Sequence, residues 1–416
     1  MPQRSDSYYD RQEVRDSLER EEVTFNALPG LIRHALDNAP WFREHLGQIE
    51  PDSISSRAAL ASLPILRKAD LADIQRRLLP FGGLNATVTG SLARIFASPG
   101  PIYDPEGARP DYWRFARGLY AAGFRQGDIV HNSFSYHLTP AGMMVERGAR
   151  ALGCPVVPGG TGQTELQVRA IADIRPTAYA GTPSFLLGLL ERGRELGLDL
   201  GSITKAVVSG EAFPAATRER LLREFGLDAF QLYATADLGL IAYETMAREG
   251  LVTEEALIVE IVRPGTGEPV PEGEVGEVVV TVFNPDYPLI RFATGDLSAV
   301  LPGESACGRT NMRIKGWMGR ADQATKVRGM FVHPRQVHEI VARQGGQRRA
   351  RLVVGQEAGQ DTMQLLVEAD GSPDELAAAL ADTARAVTGL RAEVTLVALE
   401  SLPNDGIVIE DRRAKG

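Results

Sequence analysis

The chain has 416 residues, 44% of them apolar, and this length predicts two or three domains rather than one ordinary core. Its net charge of −9, its pI of about 5.4 and the lack of long basic blocks argue against a nucleic-acid or membrane-surface role. The N-terminus has no apolar leader and no run of 18 apolar residues occurs, so we expect a cytoplasmic protein without a membrane span.

The first part of the chain, residues 8–75, predicts helices joined by polar connections. Apolar residues recur at three- and four-residue spacing over 14–27 and 28–46, and Pro40 interrupts the second run. We interpret residues 1–75 as a helical cap on a larger domain.

Strands and helices alternate from residue 128 to residue 234. The predicted strands span 128–133, 154–158, 177–181, 206–209 and 229–233, and the predicted helices span 139–152, 164–174, 184–196 and 214–225. Such alternation is typical of the α/β class. It predicts a doubly wound, mostly parallel sheet over 76–255, with functional loops at the carboxyl ends of the strands.

A β-rich subdomain is predicted over 256–320, because β-branched runs at 257–262, 277–282 and 288–293 are separated by Gly/Pro turns. A small α+β unit is expected over 321–416. Its predicted strands span 326–328, 350–355, 363–369 and 393–398, and its predicted helices span 334–343 and 373–388. Residues 1–320 would then form a large N-terminal domain, followed by a mobile C-terminal lid.

The two cysteines, Cys154 and Cys307, are far apart in sequence, and neither belongs to a Cys-x-x-Cys pair. A structural zinc site is therefore poorly supported, and two reduced thiols are expected.

Two motifs near residue 300 resemble one known family. The run Tyr287-Pro-Leu-Ile-Arg-Phe-Ala-Thr-Gly-Asp296 predicts a strand ending in a tight turn, where the Asp296 carboxylate can accept hydrogen bonds from sugar hydroxyls. Further on come Gly319-Arg320-Ala-Asp322, Lys326 and Gly329. The pair resembles the ribose-binding turn and interdomain hinge of adenylate-forming enzymes, most of all the phenylacetate–CoA ligase family.

A third motif, Tyr233-Ala-Thr-Ala-Asp237, resembles the family's Tyr-Gly-x-x-Glu signature. The resemblance implies that Tyr233 stacks on adenine, that Thr235 bonds phosphate or the acid carboxylate, and that Asp237 holds Mg²⁺ with phosphate oxygens. Ala234 and Asp237 stand where relatives carry Gly and Glu.

The resemblance implies further site residues, which fall into four groups. They are Ser209, Gly210, Glu211, Tyr233, Asp296 and Gly329 for the nucleotide and CoA; Tyr136, His137, Gly160, Thr182 and Ala234 for the acid pocket; Thr235, Arg320 and Lys326 for catalysis; and Asp322 for the hinge.

The implied activity is that of an AMP-forming ligase, which joins a small aromatic acid to CoA at the expense of ATP, with Mg²⁺, through an acyl-adenylate. Two departures keep a second hypothesis open. Residues 97–107, where relatives cradle phosphate, carry three prolines that lack an N–H and two carboxylates that would repel phosphate. Ile407 stands where relatives have a lysine that serves adenylation.

The second hypothesis is an adenylation-deficient relative that binds an acyl-CoA or acyl-adenylate without making it. A third is an adenylating enzyme that loads a carrier protein. The oligomeric state is left open, with a homodimer as the candidate assembly.

Overall fold

The computed structural model describes residues 7–98, 100–211, 213–321, 325–328, 330–332, 334–344, 348–357, 360–370, 374–403 and 407–413; of residues 319, 326, 331, 334, 335 and 374 it describes the backbone alone. Residues 1–318 and 319–416 form two compact units. None of the helices in this described part combines the length and apolar character that crossing a membrane requires.

The first unit opens with helices that cover one face of a sheet. These elements are α1 (Ser17–Asn38), α2 (Pro40–Leu46), α3 (Arg57–Ala61), β1 (Leu66–Arg67) and α4 (Leu71–Arg77). The predicted boundary at 27/28 is wrong, because α1 continues through Pro29. Leu28, Ile32 and Ala35 keep one buried stripe at helical spacing across it, and that packing favours the continuous helix.

A β-hairpin follows, and it includes most of the stretch that we expected to be a poor phosphate cradle. It consists of β2 (Arg94–Ser98) and β3 (Ile102–Glu106), paired antiparallel from Arg94↔Glu106 to Ser98↔Ile102. The side chain of Gln75 in α4 bonds both the N–H and the C=O of Tyr103, which fixes β3 against the helical cap.

The central sheet has nine strands, and its parallel half confirms the predicted α/β class. The elements are α5 (Phe115–Ala121), β4 (Val130–Asn132), α6 (Ala141–Ala151), β5 (Val156–Pro158), α7 (Thr164–Ile174), β6 (Ala178–Gly181), α8 (Pro183–Glu195), β7 (Lys205–Val208), α9 (Ala215–Phe225), β8 (Ala229–Thr235), β9 (Gly239–Glu244) and β10 (Leu251–Thr253). Strands β5, β4, β6, β7 and β8 are neighbours in that order and run parallel.

Helices cover both faces of this sheet, as predicted. Val207 packs in the core with residues of α5 and α6, whereas Ala206 and Val208 pack in the core with residues of α7, α8 and α9. This alternation follows from the two-residue period of a strand.

A smaller sheet forms the β-rich part, in the order β1, β13, β12, β11. Its later strands are β11 (Leu257–Val262), β12 (Gly276–Val282) and β13 (Phe292–Ser298). The first two match the predicted runs. The third prediction, 288–293, is wrong in its bounds. The short strands β14 (Val300–Leu301) and β15 (Arg313–Ile314) extend the nine-stranded sheet instead.

The second unit is α+β. Its elements are β16 (Gly319–Arg320), β17 (Thr325–Val327), β18 (Met330–Val332), α10 (Pro334–Arg343), β19 (Ala350–Glu357), β20 (Gln360–Glu368), α11 (Asp374–Thr388), β21 (Glu393–Val397) and β22 (Ile409–Asp411). Four strands form a sheet in the order β21, β20, β19, β22. Sequence analysis missed β18 and β22, which are three residues long each.

Candidate active site

Residues 294–296 form a bulge in β13. These three residues face the single residue Val278 of β12, because the register shifts between the pairs on either side. Gly295 has φ +76°, a conformation that glycine adopts without strain. The expected turn after the strand is therefore wrong: the segment lies inside β13, and the bulge re-aims the Asp296 side chain.

The Asp296 carboxylate is held by two aromatic side chains. The Tyr233 hydroxyl donates a hydrogen bond to Oδ2 at 2.9 Å, and Trp317 Nε1 donates one to Oδ1 at 3.1 Å. These bonds orient the carboxylate, each oxygen of which can accept more than one hydrogen bond. Sequence analysis missed Trp317. Its signal was a lone indole N–H donor two residues before the Gly-Arg-x-Asp motif.

Tyr233 lies at the end of β8, where the strand turns into β9. The residue is buried, and its hydroxyl lies 2.9 Å from Asp296 Oδ2 and 3.3 Å from Thr294 Oγ1 in the bulge. The predicted stacking on adenine stays a prediction. Thr235 accepts a hydrogen bond from the N–H of Leu238 at 3.2 Å and so shapes the turn that carries Asp237. Ala234 is half-buried in the same strand end.

Asp237 forms a buried ion pair with Lys68. Lys68 Nζ lies 2.5 Å from Asp237 Oδ2, and the Asp237 side chain is fully buried. Oδ1 of Asp237 is also buried and has no hydrogen-bond partner among the described residues. This orphaned oxygen fits a hard cation such as Mg²⁺ that is shared with phosphate oxygens. Over the described ranges no cluster of three or more His, Cys, Asp or Glu side chains could hold a metal.

Asp104 of β3 belongs to the same cluster. It is fully buried; Ser98 Oγ donates a hydrogen bond to its Oδ2 at 2.9 Å, while Oδ1 lacks a partner among the described residues. Burial and the charge of Asp237 hold the pKa of Asp104 well above its usual range. The raised pKa disfavours the negative charge on Asp104 from which we expected repulsion of phosphate.

Glu106, the other carboxylate expected to repel phosphate, is neutralised. Arg94 Nη1 and Arg147 Nη1 lie 2.9 and 3.0 Å from its Oε1, and Trp113 Nε1 donates to its Oε2 at 3.2 Å. Glu106 is buried within these contacts. The expectation that it repels phosphate is wrong, because two guanidinium groups balance its charge.

Two predicted site residues, Thr182 and Gly210, follow β6 and β7. At the carboxyl ends of these strands they meet Phe134, which follows β4. A Cβ built on Gly210 would lie 3.7 Å from both Phe134 Cε1 and Thr182 Cγ2. Gly210 has φ +83°, which favours glycine at this place. The strand ends thus bring Thr182 and Gly210 together, and they add Phe134 as an aromatic wall.

Two further residues assigned to the nucleotide have structural contacts. Glu211 Oε1 accepts a hydrogen bond from the N–H of Ser184 at 2.7 Å, so its carboxylate sits at the start of α8. The N–H of Ser209 bonds the carbonyl of Gly181 at 3.2 Å, which continues the pairing of β7 with β6. Their nucleotide contacts stay predictions.

The segment after β4 carries the two aromatic pocket candidates. Asn132 Nδ2 donates to the Tyr136 hydroxyl at 2.7 Å and to the carbonyl of Gly142 at 2.8 Å. Burial and the nearby Glu146 raise the pKa of Tyr136. His137 is exposed, next in the chain to the half-buried Tyr136.

The glycine loop after β5 is fixed by Gln167 of α7. Its Nε2 donates to the carbonyls of Gly160 and Gly162 at 2.9 and 2.7 Å. Its Oε1 lies 2.8 Å from Nε2 of the buried His131. A Cβ on Gly160 would meet no atom within 4 Å, so this face of the loop is open.

The lid candidates lie in the second unit. Arg320 ends β16, and the backbone of Lys326 belongs to β17. Asp322 and Gly329 lie outside the described residues, so the hinge and the glycine contact stay predictions. Ile407 precedes β22, and 41% of its surface is exposed.

Comparison with known proteins agrees with this geometry. The family model of AMP-binding enzymes matches residues 136–282. The phenylacetate-coenzyme A ligase of Aromatoleum evansii is 33% identical over 328 residues, which cover 75% of this chain and 73% of that protein. That of Thermus thermophilus is 33% identical over 330 residues, 76% of this chain and 73% of that protein.

A similar fold occurs in a solved structure of 2-hydroxyisobutyryl-CoA ligase, in complex with 2-HIB-AMP and CoA in the thioesterification state. Its TM-score is 0.77 and its identity is 23%, and the match covers 100% of this chain and 94% of that one. At this identity the likeness concerns the fold.

Proposed function

The chain belongs to the phenylacetate–CoA ligase family of ATP-dependent acid–CoA ligases, and we propose that its substrate is a small aromatic carboxylic acid. The relatives of 33% identity are named for phenylacetate. The strand ends that we assign to the acid bring Phe134, Thr182 and Gly210 together, and a Cβ on Gly210 would lie 3.7 Å from each of the other two side chains. An aromatic ring can pack on the Phe134 ring there, since aromatic pairs gain energy beyond the area they bury.

The reaction has two steps. A carboxylate oxygen of the acid attacks the α-phosphorus of ATP, the bond between the α-phosphorus and the bridging oxygen breaks, and pyrophosphate leaves. The CoA sulfur then attacks the acyl carbon, the bond to AMP breaks, and the thiol proton passes to solvent. The first step replaces an oxide leaving group by AMP, which makes the second step fast.

In this proposal the nucleotide occupies the edge where β8 meets the bulge of β13. Asp296, oriented by Tyr233 and Trp317, accepts hydrogen bonds from the ribose hydroxyls. Mg²⁺, held by Asp237, would neutralise phosphate charge. Thr235, in the same turn, would bond the α-phosphate or the acid carboxylate.

One observation carries the proposal most directly. The Tyr233–Asp296 hydrogen bond joins two motif residues that are 63 positions apart, one in each sheet of the first unit. The resemblance assigned the two motifs to adenine and ribose, and a single nucleotide can reach both residues only if they are neighbours.

Ile407 supports a second candidate function, an adenylation-deficient relative that binds an acyl-adenylate or acyl-CoA. Its side chain is apolar and cannot supply the positive charge that relatives place there. Removing one well-placed charge from a transition state costs on the order of 10²–10³ in rate.

The test is pyrophosphate release from ATP against a panel of aryl and short-chain acids, with and without CoA. We expect release with compact aryl acids and acyl-CoA formation when CoA is added. Release with short-chain acids alone would contradict the aromatic assignment. Absence of release, together with binding of a synthetic acyl-adenylate, would favour the second candidate. Release without transfer to CoA would instead support loading of a carrier protein.

A further inference from the structure

Lys68 lies at the edge of the nucleotide site, although none of the motif assignments uses it. It directly follows β1, which runs parallel to β13 with Arg67 opposite Ala293. The next residue along β13 is Thr294, the first residue of the bulge that carries Asp296. Register alone therefore places Lys68 beside this bulge.

The ammonium group of Lys68 is only partly used by the protein. Its Nζ donates to Asp237 Oδ2 at 2.5 Å, and this is its single hydrogen-bond partner among the described residues. An ammonium has three donors, so two remain for a ligand. A quarter of the side chain is exposed, so a ligand can reach it.

Acidic side chains surround Lys68 and favour its charged form. Burial lowers the pKa of Lys68, but the charges of Asp237, Asp104 and Asp296 and the Asp237 hydrogen bond raise it by more, so the net shift is upward.

A cation is needed in this chain for a specific reason. The acid carboxylate and the ATP α-phosphate are both negative, and charge develops on the pyrophosphate oxygens as the bond breaks. Ile407 cannot offset this charge. Lys68 carries an ammonium with two open donors on the large domain itself, close to Asp237 and Asp296.

We propose that Lys68 is a catalytic residue of adenylation, whose ammonium donates hydrogen bonds to phosphate oxygens while Asp237 holds it in place. This role rests on the proposed function. Lys68 forms no covalent bond and transfers no proton; it stabilises the charge that accumulates before pyrophosphate leaves. The thioester step, which releases AMP from a finished acyl-adenylate, does not require it.

The test separates the two half-reactions in Lys68→Met. Pyrophosphate exchange with ATP should fall on the order of 10²-fold or more, while thioester formation from a synthetic acyl-adenylate should stay within a few-fold of the parent. Lys205→Met is the matched control. Lys205 forms a similar pair, 2.6 Å from Asp128, but begins β7 at the end opposite the site, so both half-reactions should be unchanged.

A double-mutant comparison distinguishes a direct contact from support of Asp237. In an Asp237→Asn background, Lys68→Met should still reduce exchange by at least tenfold. No further loss there, no loss in the single variant, or equal loss in both half-reactions would overturn the role of Lys68. Lack of exchange in the parent protein would instead contradict the proposed function itself.

Discussion

The indole of Trp317 donates a hydrogen bond to Asp296 Oδ1 over 3.1 Å, on the opposite carboxylate oxygen from the one that Tyr233 bonds. One donor comes from the end of β8 and the other from the segment after β15. The position and rotation of the carboxylate are thus fixed before any ligand binds. Less conformational entropy is therefore lost when a ligand binds to it.

Trp317→Phe should weaken ATP binding by about tenfold, because loss of one hydrogen bond to a charged group costs roughly 1.5 kcal/mol. Calorimetric titration with ATP measures this change. Trp41→Phe is the control, since Trp41 stacks on His45 in the helical cap and lies outside the site. Equal ATP affinity of Trp317→Phe and the parent would show that the indole bond does not orient Asp296.

Asp296→Asn should weaken ATP binding further, by roughly 2–4 kcal/mol, since the charge that strengthens both expected ribose bonds is lost. The amide has nearly the same volume as the carboxylate, so circular dichroism and the unfolding midpoint should change little. Asp128→Asn, which alters a carboxylate near the amino end of β7, is the matched control. ATP affinity that is unchanged in Asp296→Asn would remove this residue from the nucleotide site.

Ile407→Lys should raise pyrophosphate release, on the order of 10²-fold if the parent lacks only this charge. A smaller gain is expected if Lys68 already supplies the cation. Leu399→Lys is the matched control, because it adds a lysine at another exposed apolar position of the second unit. If Leu399→Lys gives the same gain, the effect is one of net charge and not of position.

Arg291→Met should destabilise the first unit by about 3–5 kcal/mol, the usual cost of leaving one partner of a buried ion pair alone. Arg291 is fully buried, bonds both oxygens of Glu260 at 3.0 Å, and also bonds three backbone carbonyls, those of Ala61, Leu63 and Gly267. Urea unfolding followed by fluorescence measures the shift.

The control for this prediction is Arg175→Met, which breaks an exposed pair with Asp199 and should leave the urea midpoint unchanged. A midpoint of Arg291→Met equal to that of the parent would mean that Glu260 gains another partner or a proton at little cost.

Asp111 should make the folded state less stable as pH rises. Burial raises its pKa to about 7 in the folded chain, from 3.8. The folded state therefore binds a proton that the unfolded state releases above pH 4, and stability falls as pH rises from about 4 to about 7.

Asp111→Asn should remove this loss, on the order of 1–3 kcal/mol between pH 5 and pH 8. The amide oxygen can still accept the hydrogen bond that Asp111 takes from the N–H of Ala116 at the start of α5. Urea midpoints at the two pH values measure the effect. Parallel pH profiles of the variant and the parent would contradict it.

The sequence by itself determined the elements whose pattern is local. Alternating apolar runs with short links predicted the parallel strands β4 to β8 and their helices within a few residues, since strand and helix periods are properties of neighbouring residues. The motif around Asp296 indicated the family, which the 33% identity of the relatives then established. The lid helix at 334–343 was likewise predicted with the bounds that the structure has.

Only the tertiary structure decided which side chains meet. The bulge at 294–296 depends on the register of β12 against β13, and the Lys68–Asp237 pair joins residues 169 positions apart. Pro29 lies within α1, where Leu28, Leu31 and Ile32 are buried, and this packing is not visible in local propensity. Such contacts depend on strand pairing and burial, and these are set by the whole chain, so a reading of local patterns could predict the motifs but not the partners that orient them.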